Sequence, residues 1–191
     1  MKNIVHVAVL FMVTLSFFLE GCAVYVKPHP SSDAIASIGK NKITQKAYVV
    51  ISDRDLALEQ SVHFGLIGYL NPVSVKVGET LKVYSEEYFN ELFNEVAFTN
   101  QPSDSIGVVF EIKGFNISAF EKAAHLELHM AINDKTNKQI FEKLYLADGK
   151  GHFPLYSGNV TEQQHVQETT EEAFQKVFDV ISKDIQKITF M

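Results

Sequence analysis

The sequence of 191 residues has no tryptophan and a single cysteine. One cysteine excludes an internal disulfide and any metal or iron–sulfur site built from several cysteines of the chain. Positive charge is also scarce, because 17 Lys and Arg stand against 23 Asp and Glu, for a formal net charge of −6. An excess of negative charge argues against binding to phosphate backbones, so we do not expect nucleic acid as a partner.

Motifs of common enzyme classes are missing as well. No serine lies in a G-x-S-x-G pattern, and Gly65 and Gly68 are not followed by a lysine at a helix start. Neither a hydrolase nucleophile elbow nor a phosphate-binding loop is predicted. What is present is an ordinary globular composition, 46% hydrophobic and 21% charged, in a length that suits one domain. We therefore expect a binding protein without a cofactor rather than an enzyme.

The longest apolar run lies at the start of the chain. Val5 to Leu19 is nearly free of polar residues and follows Lys2. It is shorter than the roughly 20 residues that span a bilayer, which indicates the hydrophobic region of a secretory signal. Leu19-Glu20-Gly21-Cys22 comes next, so the single cysteine stands where cleavage would make it the new N-terminus.

These residues resemble the lipobox of bacterial lipoproteins: Leu19, Gly21 and Cys22 match it, and Glu20 departs from its usual small or aliphatic residue. The resemblance implies a signal peptide over 1–21, cleaved between Gly21 and Cys22, and a lipid on Cys22 that anchors the protein to a membrane. Ala23, in place of an aspartate, implies the periplasmic face of the outer membrane. The alternative is an ordinary cysteine behind a plain signal or anchor helix.

Two further segments follow the predicted lipidation site. Residues 22–46 combine prolines, serines and lysines with little periodicity, which predicts a flexible tether; a loop packed on the domain is the alternative. Residues 47–191 are predicted to form a single α+β domain.

Periodicity within that domain predicts a mostly antiparallel sheet with two helices packed on one face. The strands are predicted at Tyr48–Ile51, Val73–Val77, Ile106–Phe120 with a bulge at Gly114, Ala124–Ile132 and Gln139–Ala147. The helices are predicted over Gly78–Val96 and from a capping Thr161 to Ile188. The edges of such a sheet are places where partners add a strand.

One strand carries a candidate metal site. His125, Glu127 and His129 alternate with apolar residues and should point to one side, and two imidazoles with a carboxylate can hold a metal ion. His152 and His165 are candidates for a further ligand. The alternative is the solvent face of a half-buried hairpin. A metal site here would suit a periplasmic metal-binding carrier or hydrolase, the second functional hypothesis.

Two other groups are candidates for function. Asp53, Arg54 and Asp55 follow a predicted strand, where carboxylates either catalyse a reaction or merely cap the strand end. Tyr84 and Tyr88 lie on an apolar helical stripe, and their polar hydroxyls favour a place at an interface with a partner.

The chain as a whole resembles small periplasmic lipoproteins of the YajG type, penicillin-binding-protein activators, and curli-secretion and Pel-export lipoproteins, which share a domain similar to the N-terminal part of TolB. The resemblance covers most of the mature chain and rests on the residues that follow: Leu19 to Cys22, Val77 to Leu81, Phe93 to Val96, Ile106 to Ile132, and Phe174 to Ile185. It implies a non-enzymatic accessory protein that docks on an export, peptidoglycan or flagellar complex of the envelope, often as a homo-oligomer. Of the functional residues, it carries over Cys22 alone.

Overall fold

A computed structural model describes residues 23–38, 42–63, 72–99, 104–118, 121–151 and 162–190. Over these residues the architecture is α+β and mostly antiparallel, as predicted, but it has four helices and two sheets where two helices and one sheet were predicted. The strands are β1 (Val24–Val26), β2 (Ile43–Ile51), β3 (Gln60–Val62), β4 (Val73–Val75), β5 (Phe93–Phe98), β6 (Ile106–Ser118), β7 (Ala123–Asn133) and β8 (Gln139–Gly149). The helices are α1 (Ser32–Ile38), α2 (Asp53–Leu56), α3 (Val77–Leu92) and α4 (Glu162–Ile185).

The long strands β6, β7 and β8 pair antiparallel within a five-stranded sheet of order β5-β2-β6-β7-β8. Alternation determines their faces: Leu126, Leu128, Met130 and Ile132 of β7 are at most 1% exposed, which confirms the predicted core side. The register shifts between Ile112 and Gly114, at the predicted bulge.

β2 lies in the interior of this sheet and pairs in parallel with both β5 and β6. Its residues Ala47, Tyr48 and Val49 are 3%, 3% and 1% exposed, so both faces of the strand are covered. Continuous burial is typical of parallel strands. The parallel pairing was not predicted. A second sheet, of order β1-β4-β3, is built from three short strands.

Both long helices contribute to one apolar core, together with residues of the two sheets. The ring of Phe110 on β6 lies 5.8 Å from that of Phe89 on α3 and 5.9 Å from that of Phe178 on α4, measured between centroids. Since one side chain contacts both helices, α3 and α4 cover the same face of the sheet. Among the described helices, none is long and apolar enough to cross a bilayer.

The prediction of a flexible tether over residues 22–46 is wrong for the described part of that segment. β1 begins at Val24, pairs in parallel with β4, and leaves Val26 only 6% exposed. α1 buries Ile38 to 6% exposure, and β2 already begins at Ile43. The apolar residues of this segment are too widely spaced to give a periodic pattern in the sequence. They are nevertheless buried in the core, against residues that are distant in the sequence.

The predicted helix over Gly78–Val96 is too long, because α3 ends at Leu92 and β5 follows directly. Phe93 has extended backbone angles, φ −117° and ψ 156°, and its ring still stacks on Phe89 at 5.7 Å. The helical spacing of apolar residues therefore continues in the sequence past Leu92, although the backbone changes there from helix to strand. Pairing of β5 with β2 stabilises the extended form, and this tertiary contact overrides the local helical pattern.

Candidate functional site

The face of the large sheet that the helices leave open carries His125, Glu127 and His129. All three lie on one side of β7, as predicted; Glu127 is exposed and the two histidines are half-buried. The structure therefore places them on the solvent side of the β6–β7–β8 hairpins.

His125 is held between two carboxylates. Its Nδ1 lies 2.7 Å from Oδ1 of Asp148 on β8, and its Nε2 lies 3.0 Å from Oε2 of Glu121 in the preceding turn. These contacts, the one with Asp148 foremost, raise the pKa of His125 above its ordinary value. The ring therefore favours its doubly protonated form, in which both nitrogens donate.

His129 has a different partner. Its Nε2 lies 2.8 Å from Oε1 of Glu142, and this contact lowers the pKa of the Glu142 carboxyl. The two histidines thus contact different carboxylates, His125 those of Asp148 and Glu121 and His129 that of Glu142. His165 belongs to α4, which covers the opposite face, and is 3% exposed. Across the part of the chain that the structure describes, no group of three or more His, Cys, Asp or Glu is arranged to hold a metal ion.

The charged cluster after β2, Asp53-Arg54-Asp55, forms the start of the short helix α2. Ser52 Oγ donates to Oδ2 of Asp55 at 2.8 Å, while the Asp55 backbone N–H donates to Ser52 Oγ at 3.1 Å. This reciprocal pair caps the one-turn helix α2. Arg54 contacts Asp55 Oδ1 at 3.1 Å. The geometry thus supports a capping role, but the cap is that of helix α2 rather than of the strand end, and Asp55 is buried at 3% exposure.

The prediction that Tyr84 and Tyr88 reach an interface with a partner is wrong. Both are 0% exposed, and their rings pack against Phe178 of α4. The Tyr84 hydroxyl donates to the carbonyl oxygen of Glu171 at 3.2 Å, and that of Tyr88 donates to Asp179 Oδ1 at 2.8 Å. The polar ends therefore find acceptors within the chain, between α3 and α4.

Several predicted residues lie outside the described residues. They include Gly21 and Cys22, at the predicted cleavage and lipidation site, as well as His152 and the predicted helix cap Thr161.

Sequence analysis missed an exposed apolar row on the edge strand β8. Ile140, Leu144 and Leu146 are 41%, 47% and 67% exposed, and among the described strands none pairs with the outer edge of β8. The neighbouring Tyr145 points inward and is 4% exposed. Three consecutive apolar residues, Leu144-Tyr145-Leu146, make both faces of the strand apolar, and this was the available signal.

A groove runs between β8 and α4, with a volume of about 530 Å³. Residues Lys143 to Asp148 of β8 line it on one side, Lys176, Val177 and Val180 of α4 line it on the other, and Lys150 lies at one end. Val180 is 41% exposed. Leu144 and Leu146 pair with His129 and Glu127, so their side chains lie on the face of the sheet opposite to α4, and the groove itself runs along the open edge of the strand.

At the C-terminal end of β8, a side chain of α4 already occupies a backbone acceptor of this edge. Lys176 Nζ donates to the backbone carbonyl of Asp148 at 2.8 Å and pairs with Glu172 at 2.6 Å. In an antiparallel strand, alternate residues direct N–H and C=O away from the paired neighbour, and Asp148 is one of them. By the same alternation, Leu144 and Leu146 present their backbone groups to the open edge. Fold and site together define an α+β domain with an apolar edge strand available for pairing.

Comparison with known proteins adds little to this picture. No protein-family model matches the chain, and no curated protein matches it. A crystal structure described as that of an uncharacterized protein is similar, with a TM-score of 0.48 and 13% identity over 85% of this chain and 98% of that chain. The likeness is too distant to carry an inference about function.

Proposed function

We propose that this protein is a lipid-anchored accessory protein of the bacterial envelope, which binds an envelope protein complex through the edge of β8 and catalyses no reaction. The observation that carries the proposal is the exposure of Leu144 and Leu146, 47% and 67%, on an unpaired strand. Long apolar edges promote aggregation unless a partner covers them. An extended segment of a partner protein can pair with β8 and place its own apolar side chains beside these leucines.

The anchoring half of the proposal rests on the sequence around Cys22. The apolar run Val5–Leu19 and the lipobox-like residues through Cys22 suit a cleaved lipoprotein signal, and Ala23 suits the outer membrane. Small lipoproteins of the periplasm with similar sequence features assist export, peptidoglycan or flagellar complexes. A partner of that kind would meet β8 in the periplasm.

Intact-mass spectrometry of the protein purified from bacterial membranes tests the anchor. We expect a chain that begins at Cys22 and carries acyl mass on that residue, whereas Cys22→Ser should remain uncleaved and without acyl mass. A wild-type chain that retains Met1, or an unmodified Cys22, would contradict the proposal.

Site-specific photo-crosslinking in cells tests the edge. A photoreactive residue at Leu146 should form an adduct with an envelope protein, through an extended apolar segment of that protein, and Leu144→Lys should abolish it. The matched control is Leu58, which is 36% exposed but lies outside the groove. Equal adducts at both positions, or an adduct only with a second copy of the chain, would overturn the proposal.

A further inference from the structure

We infer that the domain lies directly on the membrane surface in one orientation, with the end at which β1 begins facing the lipid headgroups. This inference rests on the proposed acylation of Cys22. It means that the folded domain itself contacts the lipid surface. It also determines how far the β8 groove lies from that surface.

The first argument is the length of chain between the lipid and the fold. Only Ala23 separates Cys22 from Val24, the first residue of β1. The Val24 N–H donates to the carbonyl oxygen of Pro72 at 2.9 Å, and Val24 is paired with Val73. Consecutive Cα atoms are 3.8 Å apart, so the Cα of Cys22 lies within about 8 Å of that of Val24. No spacer is left to lift the domain from the headgroups.

The second argument is that β1 is tied to α4, the longest helix. The backbone N–H of His29 donates to Oε1 of Glu171 at 3.3 Å, and that of Ser31 donates to Oε1 of Gln175 at 3.4 Å. The chain after β1 therefore runs in the same direction as α4. The start of β1 must lie toward the N-terminal end of α4, and Tyr25 accordingly shares a groove with Gln163.

The direction of α4 then determines the height of the β8 groove. Val177 lies 15 residues beyond Glu162, which corresponds to about 22 Å at a rise of 1.5 Å per residue. β8 runs the opposite way, because Lys150 at its end donates a backbone N–H to Glu172 at 2.8 Å, whereas Lys143 pairs with Asp184 at 2.7 Å. Leu144 and Leu146 lie between these two levels, which are about 15 Å and about 33 Å beyond Glu162 along α4, and there a periplasmic partner can reach them.

Energy transfer to a headgroup dye tests the orientation. Acylated Cys22 leaves no native thiol, since the chain has one cysteine, so an introduced cysteine can be labelled alone. Gln163→Cys and Gln186→Cys form a matched pair: both residues are exposed and lie about 34 Å apart along the helical direction. In vesicles of phosphatidylethanolamine and phosphatidylglycerol, we expect transfer from position 163 to be at least about twofold higher than from position 186.

A spacer variant supplies the control. A flexible Gly-Ser insert of about twelve residues between Ala23 and Val24 spans roughly 20 Å and should abolish the difference. Equal transfer from the two positions in the native-length, acylated protein, or greater transfer from position 186, would overturn the orientation and leave the anchor intact. Absence of acyl mass on Cys22 in the same preparation would refute the anchor and the orientation together. Unchanged thermal unfolding of both labelled variants verifies that each is folded.

Discussion

At the scale of single residues, charged side-chain contacts add to the backbone pairing of neighbouring strands. His125 contacts Asp148 of β8 and Glu121 of the turn before β7, at 2.7 Å and 3.0 Å. Its side chain is 38% exposed, so solvent screens these interactions. Their measurable consequence is a dependence on pH rather than a large contribution to stability.

We predict that Asp148→Asn destabilises the protein more at pH 6 than at pH 9. Contacts with carboxylates raise the folded-state pKa of His125 above its unfolded value, so their contribution is fully present below about pH 6.5 and is lost as the pH rises through the folded-state pKa. Urea unfolding of wild type and variant at both pH values measures this difference. His165, whose pKa burial lowers, titrates with the opposite sign but is common to both proteins. An equal difference at the two pH values would contradict the prediction.

The buried tyrosine hydroxyls provide a second prediction. Tyr88→Phe removes a donor to the Asp179 carboxylate at 2.8 Å and a contact with Gln175, so we expect a loss of about 1.5–3 kcal/mol in the free energy of unfolding. Tyr84→Phe removes a longer bond, 3.2 Å, to a neutral carbonyl and should cost about 0.5–1.5 kcal/mol. Denaturant unfolding of the two variants compares them, and a larger loss for Tyr84→Phe would show that the assignment is wrong.

At the scale of elements, close contact between β8 and α4 determines how the longest helix sits on the sheet. A Cβ on Gly149, at the end of β8, would collide with the backbone carbonyl of Thr169 and with the backbone nitrogen of Ala173. Backbone atoms cannot turn aside as a flexible side chain can, so the helix itself would have to move. Glycine at this position is therefore required by packing.

We predict that Gly149→Ala costs about 1–3 kcal/mol of stability or more, because it forces α4 away from β8. The matched control is Gly114→Ala in β6, where the nearest neighbour is the Glu127 side chain at 3.5 Å, an ordinary van der Waals distance. Thermal unfolding should show a clear decrease in midpoint for the first variant and little change for the second. Similar midpoints would contradict the packing argument.

The elements also show why local patterns predict some structure and miss the rest. β7 alternates over its length because one face is buried and the other is wet, and this pattern is readable from its residues alone. Phe93 and Val96 continue the spacing of α3, yet they belong to β5, since pairing with β2 satisfies their backbone. A similar limit applies to the histidines of β7: strand alternation puts His125 and His129 on one side, but it does not show that their carboxylate partners come from other segments.

At the scale of the whole molecule, β1 makes the region near the N-terminus part of the folded core. We predict that Val26→Ala lowers the free energy of unfolding by roughly 2 kcal/mol, since Val26 is 6% exposed and loses two buried methyl groups. The neighbouring Lys27→Ala, at an exposed position, should change it by less than about 0.5 kcal/mol. Chemical denaturation checks both. Equal and negligible effects would indicate a tether, as the composition of the segment suggested.

The sequence by itself determined the α+β class, the antiparallel β6–β7–β8 hairpins and the approximate course of the two long helices, because these depend on periodic patterns between near neighbours. The tertiary structure alone decided that β1 belongs to the fold, that β2 pairs in parallel, that Tyr84 and Tyr88 are buried, and that the apolar edge of β8 is left open. Each of these depends on which distant segment lies beside a residue. Burial and pairing are properties of that neighbourhood and cannot be read from the residue itself.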